Sequence, residues 1–160
     1  MLNRHRAMSY LATLGGIVAL SSTASAHYLW VAVDASQRVA NIYFEESPAA
    51  GDGHYLDPFV KDSTTWIRTV TTPEPHVLAT REKTAPKKRW LVANLEDNAP
   101  RSVDSYGKFG VYAYGKTNVL LHYYARYLDV AAHEDLHELA RAEQMQLDIV
   151  PHDEGQHLSL

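Results

Sequence analysis

Apolar and polar positions along the chain fall into short runs separated by turn-forming residues, a pattern that predicts strands over most of its length. Residues 27–33 (HYLWVAV) are apolar on both faces, as in a strand covered on both sides. Residues 34–37 read as a turn, and 39–44 supply a second strand, so the two predict a hairpin. Residues 47–53 (SPAAGDG) are a loop by their Pro and Gly content. Residues 64–70 alternate weakly and are rich in β-branched side chains. Pro73, Pro75 and Pro86 break the middle of the chain into short extended pieces. Residues 90–93 and 102–106 predict short strands, and 110–114 and 118–127 a further hairpin across Gly115 and Lys116. The pattern then changes: residues 131–144 have helical composition, with Leu136, Leu139 and Ala140 as a narrow apolar stripe. Residues 146–150 are strand-like and stopped by Pro151, and 157–160 resemble the opening of another strand. Many short strands with regular turns predict a mainly β chain, an antiparallel Ig-like β-sandwich with one short C-terminal helix.

The first 26 residues have a different character. Arg4, His5 and Arg6 form a basic start, residues 10–20 are apolar, and Ala24-Ser25-Ala26 is a small-x-small cleavage pattern. This predicts a Sec-type signal peptide cut after Ala26, and hence a periplasmic or extracellular product. The apolar core is shorter than the roughly 20 residues needed to span a bilayer. No later segment reads as a membrane span. The expected organisation is a signal peptide over 1–26, a β-sandwich domain over 27–130, and over 131–160 a helical linker into a second β domain that is cut short.

Composition narrows the chemistry. The 160-residue chain has no cysteine, which excludes disulfides, thiolate metal sites and a Cys nucleophile. Of fifteen Lys and Arg, two lie in the leader, and none of the nineteen Asp and Glu do. The remainder from His27 onwards therefore carries thirteen basic against nineteen acidic residues, a formal charge of −6. An acidic balance argues against nucleic acid as partner. No phosphate-binding Gly loop, G-x-S-x-G elbow or dinucleotide fingerprint is present, so no catalytic residue is assigned and the chain is expected not to be an enzyme.

The leader ending in Ala26, HYLWV directly after it, VANIYFEE, GVYAYGK with LLHYYARY, and QLDIVP together resemble one family. These are exported bacterial NikM-like proteins, a domain of unknown function associated with nickel uptake. The resemblance runs from His27 to Pro151. It implies a β-rich N-terminal part leading into a second Ig-like domain, and association with a membrane transporter.

Histidine carries the candidate chemistry. Cleavage after Ala26 would leave His27 as the first residue, where its α-amine and Nδ1 can chelate one metal ion in a compact ring. A second imidazole would complete a T-shaped brace. Nitrogen donors of this kind favour Cu(II) or Ni(II). His122, on a strand face with Leu120 and Tyr124, and His54, in the GDGHYLDP loop between Asp52 and Asp57, are the candidate partners. An imidazole ligates only when neutral, so such binding should weaken as pH falls through about 6.5, the ordinary imidazole value. The sequence thus predicts an exported protein that binds Ni or Cu reversibly through His27, His122 and His54. The alternative is an Ig-like binding or adhesion module without metal. A third reading comes from residues 133–137 (HEDLH), which match H-E-x-x-H, the zinc-peptidase pattern with His133 and His137 on one helix face and Glu134 as base. Asp135 inside the motif and the missing downstream third-ligand pattern weigh against it.

Overall fold

A computed structural model of the chain describes residues 26–130, 132–141 and 144–147. The predicted leader, Ala26 apart, lies outside the described residues. So do residues 148–150 of the strand expected at 146–150 and the whole of that expected at 157–160, while Gln146 and Leu147 are irregular.

Eight strands form four sequential hairpins: β1 (Tyr28–Asp34) with β2 (Val39–Glu45), β3 (Ser63–Thr69) with β4 (Thr72–Leu78), β5 (Thr80–Ala85) with β6 (Lys88–Asn94), and β7 (Arg101–Tyr114) with β8 (Thr117–Asp129). The hairpins alternate between two antiparallel sheets. The first sheet has the order β1-β2-β6-β5 and the second β4-β3-β7-β8. That is the ABED sheet of an Ig-like sandwich facing CFG with one extra strand beside C. The predicted fold class is therefore the observed one.

Alternation builds the core. Ala40, Ile42 and Phe44 on β2, Leu29 and Val31 on β1, Leu91 and Ala93 on β6 and Val103 on β7 point inward and are buried. The first sheet is apolar outside as well. There the Trp30 indole N–H donates to the Glu45 carbonyl at 3.0 Å, and that of Trp90 donates to Asn41 Oδ1 at 2.9 Å. This explains why residues 27–33 read as apolar on both faces.

Two stretches differ from expectation. A short helix α1 (Asp57–Lys61) precedes β3, where no helix was predicted. Asp57 and Pro58 suit its first turn, and Phe59 is buried against β7, where the missing side chain of Gly107 leaves room for its ring. The proline-broken middle holds two full strands, β4 and β5. Pro73 and Pro75 are tolerated because β4 lies at a sheet edge.

The predicted C-terminal helix is α2 (His133–Leu139), shorter than the helical stretch read from the sequence. It lies on the outer face of the second sheet. Leu139 and Ala140 are buried there. Arg68 Nη2 donates to the Leu139 carbonyl at 2.7 Å, and Arg126 Nη1 donates to the Ala140 carbonyl. Beneath the helix, fully buried Asp104 accepts from Arg126 Nε at 2.6 Å, Ser102 Oγ at 3.0 Å and Gln144 Nε2 at 3.0 Å. These contacts explain why residues 101–105 are buried on both faces. Among the described residues, no helix is long and apolar enough to cross a membrane.

Candidate functional site

The β7–β8 hairpin runs past the end of the sandwich. A bulge between Lys108 and Gly110 places Phe109 inward, and Gly110 adopts φ 111°, a conformation that suits glycine. Beyond the bulge Tyr112 and Tyr114 share the inner face, their rings 4.7 Å apart. This arm and the sandwich end enclose a cavity of about 220 Å³, walled by Phe44, Tyr55, Phe109, Tyr112, Tyr114 and Tyr123. Ala26 and His27 lie on its rim.

The rings within the cavity are interlocked. Phe44 lies 4.3 Å from Phe59 and 4.8 Å from Tyr123, with the second contact edge-on, an arrangement that aromatic quadrupoles favour. Burial raises the pKa of Tyr123 above the ordinary phenol value, so it presents a neutral hydroxyl.

His27, immediately before β1, is half-buried. Its ring sits edge-on to Tyr55 at 4.9 Å and 5.9 Å from Phe44. His54 reaches the same Tyr55 ring at 4.5 Å, also edge-on. Two of the three predicted histidines therefore pack against the same tyrosine, which lines the cavity with His27, while His54 is exposed.

The loop that carries His54 is held by a side chain of β2 and by the backbone of β6. Glu45 Oε1 accepts the Gly53 N–H at 3.1 Å, and the Arg89 backbone N–H donates to the Gly51 carbonyl at 2.9 Å. Gly53 has φ 66°, and a Cβ there would stand 2.5 Å from Arg89 Cβ. Arg89 also pairs with Asp57 at 2.9 Å and Glu82 at 2.8 Å. The Asp52 carboxylate accepts the His54 backbone N–H at 2.9 Å. The two aspartates flanking His54 are thus engaged in holding the loop.

His122 lies elsewhere. Tyr123 next to it points into the core, so the alternation of β8 turns His122 to the outer face of the second sheet. There its Nδ1 hydrogen-bonds the Tyr106 hydroxyl at 2.7 Å. Tyr106 packs 5.2 Å from Tyr124, whose hydroxyl donates to Gln146 Oε1 at 3.2 Å. The three-histidine grouping read from the sequence is not assembled. Among the described residues, no cluster of three or more His, Asp or Glu side chains is placed to hold a metal ion.

The walls Tyr55, Phe109, Tyr112 and Tyr114 are not singled out by the sequence, although the alternation VYAY beside a Gly-Lys turn marks two tyrosines on one face of a hairpin tip, consistent with a tyrosine-rich surface. No protein-family model, curated protein or solved structure matches the chain.

Proposed function

We propose that the chain is the precursor of an exported binding module that takes up a transition-metal ion at its processed N-terminus. In this reading the leader is removed after Ala26, and the new α-amine and Nδ1 of His27 chelate Cu(II) or Ni(II). His54 is the third nitrogen. The observation that supports it most is that His27 and His54 both pack edge-on against the same Tyr55 ring. The amine is a donor that appears only on cleavage, so a side-chain cluster is not required. Two nitrogens from one residue and one imidazole form a donor set suited to tetragonal copper or nickel. Such a module would pass its ion to a membrane transporter, in keeping with the NikM-like resemblance, and would operate in a periplasm or outside the cell.

The test uses the chain beginning at His27, obtained by export and processing of the precursor. With His137→Ala introduced to remove the histidine pair on α2, calorimetric titration with Cu(II) is expected to give one tight site. His27→Ala, or one extra residue placed before His27, is expected to weaken it at least about tenfold, a cost of about 1.4 kcal/mol. Unchanged affinity in both would overturn the N-terminal site.

The same cavity supports a second reading, an Ig-like binding module without metal. Most of its walls are aromatic rings, four of them tyrosines, and Tyr112 and Tyr114 are exposed. Such surfaces suit ligands that stack and accept hydrogen bonds. Absence of any thermal stabilisation by Cu(II) or Ni(II) would favour this reading, because an ion that binds only the folded state must raise its stability.

A further inference from the structure

We infer that His133 and His137 on α2 form a second metal site, a two-nitrogen clamp for a divalent transition-metal ion that stiffens α2 where it docks on the sandwich. The inference does not depend on cleavage of the leader or on His27.

The two imidazoles stand at i and i+4 on one helix face, and their Nε2 atoms are 2.9 Å apart with the rings nearly perpendicular at 85°. Nitrogens bound at about 2.0–2.1 Å to one ion and subtending about 90° lie about 2.9 Å apart. A tetrahedral angle would instead need about 3.3–3.4 Å. The observed spacing therefore suits two neighbouring positions of a square or octahedral shell, the preference of Cu(II) and Ni(II). In the metal-free pair one Nε2 donates a proton to the other. Ligation requires both Nε2 lone pairs, so the imidazole that donates in this pair must take the tautomer with its proton on Nδ1.

No further His, Asp or Glu among the described residues closes the set, so water fills the other positions and the ion is exchangeable. The clamp consequently supplies a binding site rather than the closed three-ligand centre of a peptidase.

Placement on α2 gives the site a consequence. A seven-residue helix is marginal by itself, and its N-cap, Ala132, makes no side-chain capping bond. Its C-terminal end is fixed, through the Leu139 and Ala140 carbonyls, to Arg68 and Arg126. The ion would bridge the first turn to the second and so stabilise the end that the arginines do not reach. By linkage, an ion that prefers the docked helix must shift the segment towards the docked state.

The test uses the full chain with its leader retained and His27→Ala and His54→Ala introduced, which removes the N-terminal donors. Titration with Ni(II) is expected to show one site, with slower hydrogen exchange at the helical backbone amides of residues 136–140. His137→Ala is expected to lower the affinity at least tenfold and abolish the added protection, and His133→Gln should do the same. Circular dichroism confirms that each variant keeps its sheet signal. Unchanged Ni(II) affinity in both histidine variants, or binding without added protection of α2, would overturn the inference.

Discussion

At the residue scale, His54 depends on the glycine before it. Gly53 combines a left-handed backbone with a close approach to Arg89, so any side chain there meets both strain and collision. Gly53→Ala is expected to cost about 1–3 kcal/mol in urea unfolding. It should also loosen the loop and weaken copper binding, while a substitution at exposed Gly115, also at positive φ but with open space around it, strains only its own turn. His122 shows what alternation can and cannot reveal. Leu120, His122 and Tyr124 do share a face, as the sequence predicts. Which face is inward was not legible, because Leu121, Tyr123 and Ala125 are as apolar as their neighbours. Only the opposing sheet decides it, through the contact of Tyr123 with Phe44. His27 drew attention by its place after a cleavage pattern, whereas Tyr55, which joins it to His54, carries no local signal.

At the scale of elements, the hairpins β1–β2 and β7–β8 were legible because strong apolar runs flank evident turns. Strand β5 was not: TREKTA is polar, lies at a sheet edge, and contributes no side chain to the core. Helix α1 was too short for helical periodicity, and it exists because Phe59 has a place against Gly107. The docking of α2 was illegible because its partners, Arg68, Asp104 and Arg126, come from three different strands. Removing one member of a buried ion pair strands the other, so Arg126→Met is expected to destabilise the fold by about 3–5 kcal/mol. Pairing it with Asp104→Leu should recover much of that loss, since two apolar side chains leave no buried charge behind. Denaturant midpoints of the two single variants and the double variant measure the coupling.

At the scale of the whole molecule, a disulfide-free sandwich relies on its core and on the ties between its loops, and acid should attack the ties first. The Arg89 guanidinium holds the Glu82 carboxyl below the usual carboxylate range, and the Ser36 hydroxyl and Gln37 amide do the same for Asp34. A depressed folded pKa stabilises the protein above the unfolded values of 4.5 and 3.8, and that contribution is lost as pH falls through the lower folded values. Both groups are at the surface, so the effect is modest. Unfolding midpoints should decline below pH 4.5, and Glu82→Gln should flatten that decline. At one end of the fold these ties serve, His27 and His54 both pack on Tyr55 beside the aromatic cavity. The most direct test counts the nitrogens around copper. Electron paramagnetic resonance would be recorded on the chain beginning at His27, carrying His137→Ala and one equivalent of Cu(II). Coupling to three nitrogens is predicted, falling to two with His54→Ala. A spectrum that neither His54→Ala nor a blocked α-amine alters would contradict the account.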